Sequence, residues 1–239
     1  GLVHRLTHSG ETVIILTAMA GDPPTPLPQS PLIEELHQRW QLGDNPIVGR
    51  RAEDECAAQR LGARAMHLPI PDCIYRTAGT KALYTDETAI FGNISPADRA
   101  HWDLLSAPLP AEDVISCLYA PLGVGHHVDH QIIRDWGLAL ADTHPNLPVY
   151  FYEEYPYNHE DEAIEAALNF HTNTMSPEII MIDDEELEAK LEAIACYQSQ
   201  ISTFWSSITE LRHDLIHTMQ QIGNGQPAER YWRIVDNDH

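Results

Sequence analysis

Short apolar runs rich in β-branched residues alternate along the chain with segments of helical periodicity, and no other feature constrains the fold as strongly. Four of these runs have the length and composition of buried strands: Thr12–Thr17, Val114–Ala120, Val149–Glu154 and Glu178–Ile182. Continuous apolar strands are typical of parallel sheets that are covered on both faces, and helices between strands form βαβ units. The pattern therefore predicts an α/β fold with a mostly parallel sheet and helices on both faces.

Turn and cap residues divide this pattern into elements. Ser30-Pro31 is a typical helix start, and the helix is predicted to end at about Trp40. Residues 73–94 are predicted to be an irregular insertion, and residues 184–239 a helical C-terminal extension that closes with a strand at Arg230–Val235. Because no repeat or low-complexity tract interrupts the chain, we expect residues 1–239 to form a single domain.

The charge balance excludes one class of function. Asp and Glu number 36 against 14 Lys and Arg, which leaves a formal net charge of −22. Such a chain lacks the clustered cations that phosphate contacts require, so we expect no nucleic-acid partner. No apolar run approaches the roughly 18 residues that suggest a membrane span, and no signal-peptide pattern opens the chain. We therefore expect no membrane span and a cytoplasmic location.

The four cysteines, Cys56, Cys73, Cys117 and Cys196, are widely spaced. A disulfide-stapled domain would be denser in cysteine, and a cysteine-rich zinc site would pair them closely. We therefore predict reduced, mostly buried thiols. With 14 histidines in the chain, a metal site is expected to use His and carboxylate ligands.

The strongest local signal is Gly123-Val124-Gly125-His126-His127-Val128-Asp129-His130, between a predicted strand and a predicted helix. This position is the carboxyl end of the sheet, where open α/β sheets bind their ligands. Three imidazoles and a carboxylate within five residues can supply a metal ligand, a proton donor and the partner that orients it. A solvated, helix-capping loop is the alternative interpretation.

The sequence resembles the PIG-L/LmbE-like deacetylases, zinc enzymes that remove the N-acetyl group from N-acetylglucosamine-type sugars. Leu118–His130 matches the family's strand, Pro-Gly loop and H-x-D-H motif, and Arg50–Glu53 with Leu61-Gly62 matches R-x-x-E-x(7)-L-G. Thr12–Asp22 resembles the family's second strand, and Lys190–Gln200 resembles its K-x(6)-Y-x-S-Q helix. The resemblance covers nearly the whole chain and implies a Rossmann-like fold.

The resemblance also implies roles for individual residues. His130 would be a ligand of Zn²⁺, and His127 would stabilise the oxyanion or protonate the leaving amine. Asp129 would hold His127 in the useful tautomer. Arg50 would contact the sugar or its substituent and Glu53 would brace that arginine.

Two further carboxylates, Asp22 and Asp72, each lie at a predicted strand end. This position makes them candidates for the wall of the substrate pocket. His126 falls where the family requires no histidine, so we interpret it as a loop residue.

One family signature is missing from the sequence. The [AS]-H-P-D-D motif supplies two metal ligands and the general base in the family, and no H-P-[DE]-D occurs in this chain. The motif would lie just upstream of Gly1. Because a catalytic zinc needs three protein ligands, we expect the 239-residue chain by itself to bind zinc weakly and to have little or no activity.

Other constellations are weaker. His213 and His217 share one helix face, as do His4 and His8, but neither pair has the general-base Glu of H-E-x-x-H. Glu153-Glu154 could suggest paired glycosidase carboxylates. Adjacent residues of a strand point to opposite faces, however, so they cannot flank one bond from the same side.

The leading hypothesis is a zinc-dependent N-deacetylase of an amino sugar or sugar conjugate, whose partner is a small-molecule amino-sugar substrate. The alternative from another class is a non-catalytic sugar-binding or scaffold protein that has lost its metal site. Hydrolysis of another amide or ester by the same chemistry is a third hypothesis. The sequence is also compatible with a homo-oligomer.

Overall fold

The computed structural model describes residues 1–43, 45–105, 115–170 and 174–235. These residues divide into two compact units. The first comprises Gly1–Thr85 and Ile180–Glu229, and the second comprises Asp86–Ile179 and Arg230–His239. Both units contain helices and strands, which confirms the predicted mixed α/β class.

Helices and strands alternate through most of the described chain. The helices are α1 (Leu2–His8), α2 (Pro31–Trp40), α3 (Pro46–Arg60), α4 (Glu87–Ile90), α5 (Ala100–Leu105), α6 (Val128–Thr143), α7 (Asp161–Asn169), α8 (Asp184–Ile194), α9 (Gln198–Phe204) and α10 (Ile208–Ile222). The strands are β1 (Ile14–Thr17), β2 (Arg64–His67), β3 (Thr77–Ala78), β4 (Lys81–Ala82), β5 (Leu118–Pro121), β6 (Val149–Tyr152), β7 (Met175–Met181) and β8 (Ala228–Ile234).

In the first unit, β1 and β2 pair in parallel, with Ile14 opposite Arg64 and Thr17 opposite His67. The chain between them forms α2 and α3, as the strand–helix alternation predicts. Segment 73–94 contains a 3-10 helix at Cys73–Tyr75 and the antiparallel hairpin β3–β4. The first unit thus provides one parallel pair and one short hairpin.

The sheet of the second unit has the strand order β5-β6-β8-β7. β5 and β6 are parallel, whereas β6 and β8 are antiparallel. The described sheets are therefore small and mixed, so the mostly parallel, Rossmann-like sheet is not confirmed. The reason is β8, which follows the C-terminal helices and pairs between β6 and β7. Val114, the start of the strand predicted over Val114–Ala120, lies outside the described residues.

The core of the second unit lies between its sheet and the helices α6 and α7. It is formed by side chains that are at least nine-tenths buried: Ala120, Leu122, Val124, Val149, Phe151, Ile164, Ala167 and Trp232. The alternate residues Val149 and Phe151 of β6 both belong to this core, as expected for a strand with one face covered. This packing fixes the ends of β5 and β6 that carry the loops of the candidate site.

A disulfide joins Cys56 of α3 to Cys196, just after α8, with 5.9 Å between their Cα atoms. The prediction of reduced thiols is wrong for this pair. Sequence spacing misled because 140 residues separate the two cysteines, and only the packing of α3 against α8 brings them together. Because disulfides persist in oxidising compartments, the pair also removes the cysteine argument for a cytoplasmic location.

Within the described part of the chain, no helix combines the length and the apolar character that crossing a membrane requires.

Candidate functional site

In the second unit, the loop 122–127 connects β5 to α6 and carries the predicted histidines. Gly125 has a φ of +82°, and His126 has a φ of +63°. A Cβ atom at Gly125 would lie only 2.6 Å from Cγ of Tyr157, so the loop needs glycine there for space as well as for its backbone conformation. The tight turn brings His127 directly to the start of α6.

Glu154, two residues beyond the end of β6, binds this loop through its carboxylate. Its two carboxylate oxygens accept the backbone N–H groups of Gly123 (2.8 Å) and Val124 (3.0 Å). Oε1 of the same carboxylate lies 3.2 Å from Nδ1 of His130. The residue is only 6% exposed, so one buried carboxylate holds the loop by hydrogen bonds and lies next to the imidazole.

His127 is the N-cap residue of α6. Its Nδ1 accepts the backbone N–H of Asp129 at 3.3 Å, which assigns the proton of the neutral ring to Nε2. The ring lies edge-to-face against Phe91, and its centroid is 5.1 Å from that of His130. The structure therefore brings His127, Asp129 and His130 together within one turn, and it records a backbone contact from Asp129 to His127.

His126 points to a different environment. Its Nδ1 lies 3.1 Å from the carbonyl oxygen of Phe91, and its ring packs on Phe170 with 4.6 Å between centroids. Gln131 donates its side-chain amide to the carbonyl oxygens of His126 (2.6 Å) and Gly92 (2.8 Å). These contacts fit the interpretation of His126 as a loop residue.

The remaining predicted residues lie in the first unit. Arg50 of α3 forms an ion pair with Asp72 (2.8 Å), and its guanidinium lies 4.7 Å from the ring centroid of Trp40. Glu53 contacts a different element: it accepts the backbone N–H (2.8 Å) and the hydroxyl (2.6 Å) of Ser199. Asp72, rather than Glu53, thus braces Arg50, because α3 presents Glu53 to the start of α9.

Asp22 is the most exposed of these carboxylates. Its Oδ1 pairs with Arg51 and accepts the side-chain amide of Asn45 at 3.3 Å. The side chain of Asp22 is 62% exposed, so it lies at the surface beside α3.

Asp54, which is only 7% exposed, was not predicted from the sequence. It accepts hydrogen bonds from the hydroxyl of Tyr197 (2.6 Å), from the Thr17 hydroxyl and from Nε2–H of His67 (2.8 Å). Burial, and then the neighbouring Asp54 carboxylate, raise the pKa of Tyr197 well above its usual value, so its hydroxyl stays a donor. Asp54 follows Arg50 by one helical turn, and this spacing is the signal that could have revealed it.

Asp54 borders a cavity of about 70 Å³. The cavity is lined by residues of the first unit: Thr17, Met19, Ala20, Ile47, Arg50, Arg51, Asp54, His67 and Tyr197. Two guanidinium groups, an imidazole and a phenol thus surround a small space, next to apolar side chains. Such a lining suits a small polar ligand with an apolar part.

The fold of this chain is similar to those of several solved structures. No family profile matches the chain, and no curated protein matches it. The fold is similar to that of the zinc-inhibited form of teicoplanin deacetylase Orf2, with a TM-score of 0.79 and 24% identity over 99% of this chain and 92% of that one. N,N'-diacetylchitobiose deacetylase from Pyrococcus horikoshii gives a TM-score of 0.50 and 19% identity over 98% of this chain and 76% of that one.

A third similar structure has another activity. The 4-carboxy-2-hydroxymuconate hydratase GalB from Pseudomonas putida KT2440 gives a TM-score of 0.51 and 15% identity over 100% of this chain and 92% of that one. At these identities the similarity shows the fold, and the resemblance drawn from the sequence is confirmed at that level. The function has to be argued from the site.

Proposed function

We propose that this chain is a zinc-dependent hydrolase that removes the acetyl group from an N-acetylated amino sugar or sugar conjugate, with residues 1–239 forming one deacetylase domain. Two findings support the proposal: the fold, shared with two solved deacetylases, and the imidazole pair at the start of α6. The pair lies at the carboxyl end of β5, where α/β proteins bind ligands.

The single observation that carries the proposal is the contact between His130 and Glu154. Because Nδ1 of His130 lies 3.2 Å from the carboxylate, Nε2 is the nitrogen on the opposite side of the ring. Zinc-binding imidazoles in proteins have this second carboxylate partner, which fixes their orientation and raises their basicity. His130 therefore fits zinc as one ligand. A catalytic zinc needs two further protein ligands, which the resemblance assigns to the family's H-P-D-D motif.

Zinc, when bound, supplies a Lewis acid that polarises an amide carbonyl and makes hydroxide available near neutral pH. His127 supplies a hydrogen-bond donor. With Nδ1 occupied by the N–H of Asp129, its Nε2–H is the donor that would stabilise negative charge developing on the amide oxygen. Asp129 acts as the positioning residue for His127.

For substrate binding, we propose Arg50, which lines the 70 Å³ cavity. Asp72 would hold its guanidinium in place for a sugar hydroxyl or substituent, and Asp22 would do the same for Arg51. Glu53 would act indirectly, because it fixes the start of α9 through Ser199.

The alternative function is a non-catalytic sugar-binding or scaffold protein on the same fold. It would follow if His130 has no partner ligands, because a single imidazole does not hold a catalytic zinc. Both functions predict sugar binding, so metal content and hydrolysis have to separate them.

The test uses the protein expressed from its natural gene, with zinc measured by elemental analysis and amine release measured on N-acetylglucosamine conjugates. We expect His130→Ala to lose one equivalent of zinc and all hydrolysis. His127→Ala should keep the zinc and lower kcat about 10²–10³-fold, the usual effect of removing one oxyanion donor. The matched control is His213→Ala, which replaces an exposed histidine of α10. It should change neither the zinc content nor the rate of hydrolysis.

Zinc-free natural protein, or hydrolysis that survives His130→Ala, would refute the deacetylase proposal. In the first case the metal-free binding protein becomes the better explanation.

A further inference from the structure

Two histidines on α1 lie one helical turn apart and face each other. The ring centroids of His4 and His8 are 3.9 Å apart, with 37° between the ring planes. Histidines at this spacing present their nitrogens to one side of a helix. Neither residue belongs to the proposed deacetylase site.

His4 is buried in an unusual way. It is only 8% exposed, yet neither of its ring nitrogens has a hydrogen-bond partner in the structure. Leaving a buried polar atom without a partner costs free energy, and such atoms are rare in native proteins. A ligand bound at either ring nitrogen of His4 would give that atom the partner it lacks.

Glu185, the second residue of α8, completes the cluster. Its Oε1 lies 3.7 Å from Nε2 of His4, which is too long for a hydrogen bond. Two ligands of a tetrahedral zinc ion, each about 2.0–2.1 Å from the metal, are separated by about 3.3 Å. The observed separation is slightly longer than this. A small movement of the Glu185 side chain would bring the two atoms to the distance of ligands that share one metal ion.

The orientation of His8 agrees with this geometry. His8 donates Nδ1–H to the carbonyl oxygen of His4 at 3.2 Å. The lone pair of its neutral ring then lies on Nε2, which is the usual arrangement of a metal-binding imidazole with a carbonyl as its second partner. One ligand atom each from His4, His8 and Glu185 lies within 4.8 Å of the others.

We propose that His4, His8 and Glu185 form a binding site for a divalent transition-metal ion, with Zn²⁺ as the favoured ion. Two imidazoles and one carboxylate are a zinc ligand set, and the fourth position would be filled by water because His8 and Glu185 are exposed. The bound ion would tie α1 to α8 within the first unit. The site shares no residue with the proposed deacetylase centre, so either can exist without the other.

The test removes the deacetylase ligand first. His130→Ala protein is stripped of metal with a chelator, and Zn²⁺ affinity is measured by competition with a chelating dye. The visible absorption of Co²⁺ reports the coordination geometry. One equivalent of Zn²⁺ is expected to bind, and Co²⁺ is expected to give the intense bands of a tetrahedral site. His8→Ala and Glu185→Gln, added separately, should each weaken Zn²⁺ binding by at least about tenfold.

His217→Ala in the same background is the matched control. His213 and His217 have the same spacing on α10, but no carboxylate joins them in a metal-compatible group among the described residues. Zinc affinity should not change in this variant. The proposal fails if His130→Ala protein binds no Zn²⁺, if His8→Ala leaves the affinity unchanged, or if His217→Ala lowers it equally. Circular dichroism verifies that each variant is folded, and both substituted positions on α1 and α8 are exposed.

Discussion

Glu154 shows how a single buried side chain can organise a site. It accepts two backbone N–H groups of the β5–α6 loop and contacts His130. The adjacent Glu153 faces the other side of the strand end and contacts Arg230 (2.5 Å) and Trp232 (2.9 Å) of β8. The opposite orientation of neighbouring residues was predictable from strand geometry. The contacts of Glu154 were not predictable, because they join the segment after β6 to the β5–α6 loop and to α6, which are distant in sequence.

Replacing Glu154 by Gln tests its role at His130. The variant keeps the size of the side chain but removes the negative charge beside Nδ1, so the imidazole becomes a weaker ligand. We expect zinc affinity at the His130 site to fall about 10–100-fold, measured by chelator competition in the natural protein. Glu153→Gln is the control on the opposite face and should lower thermal stability without changing this affinity. Equal zinc affinities in the wild-type protein and Glu154→Gln would contradict the assignment.

Replacing Tyr197 by Phe tests the buried Asp54 cluster. The substitution removes the hydroxyl that donates to Asp54 at 2.6 Å and leaves part of a buried carboxylate without its donor. We expect the free energy of unfolding to fall by about 1–3 kcal/mol, measured by urea denaturation at pH 7. Tyr150→Phe is the comparison, since Tyr150 is only partly buried. A loss no larger than that of Tyr150→Phe would show that the Asp54 contact adds no stability.

At the scale of elements, local signals mark where helices start and end. The helix predicted from Ser30-Pro31 to Trp40 is α2 (Pro31–Trp40). α3 ends just before Gly62, whose φ of +69° is the left-handed conformation that glycine favours. Pairings between elements were harder to predict. Neither the contact of Glu53 with Ser199 nor the place of β8 depends on local sequence, since both are decided by long-range packing.

The contact between α1 and α8 predicts a pH dependence. Arg5 binds Glu186 through two hydrogen bonds (2.5 and 2.6 Å), and this contact lowers the pKa of Glu186 below its usual value of 4.5. Because the pKa is lower in the folded state, the contribution to stability is present above about pH 4.5 and is lost as the pH falls through the folded-state value.

Arg5→Gln should therefore lower the free energy of unfolding by about 0.5–1 kcal/mol at pH 7, a small effect because Arg5 is partly exposed to solvent. The difference from the wild-type protein should shrink toward pH 3, as urea denaturation at several pH values would show. Arg212→Gln removes the exposed pair with Glu188 and should have no measurable effect. A deficit for Arg5→Gln that stays constant down to pH 3 would exclude the ionised pair as its cause.

At the scale of the whole molecule, the fold class followed from the sequence but the crosslink did not. Strand–helix alternation predicted a mixed α/β protein, and the fold is similar to those of solved deacetylases. The disulfide Cys56–Cys196 closes a loop of 140 residues. Four widely spaced cysteines carry no pairing information, because the pairing depends on which helices pack together.

Removing this crosslink should lower stability. Because the bond restricts a long loop in the unfolded chain, Cys56→Ser with Cys196→Ser is expected to lower the free energy of unfolding by about 2–5 kcal/mol under oxidising conditions. The same loss should appear when a reductant is added to the wild-type protein, and peptide mapping without reduction should recover the linked pair. Cys117→Ser serves as the control, and its free energy of unfolding should still fall when a reductant is added. Identical unfolding curves with and without reductant would show that the bond does not form.

The position of β8 has a consequence for how the protein can be made and altered. β8 follows every other strand of the described chain, yet it is an interior strand of the second unit's sheet, between β6 and β7. A ribosome therefore has to synthesise everything up to α10 before β6 and β7 acquire their shared neighbour. Deleting Ala228–Ile234 would separate β7 from β6, whereas the loss of a terminal strand usually trims only an edge.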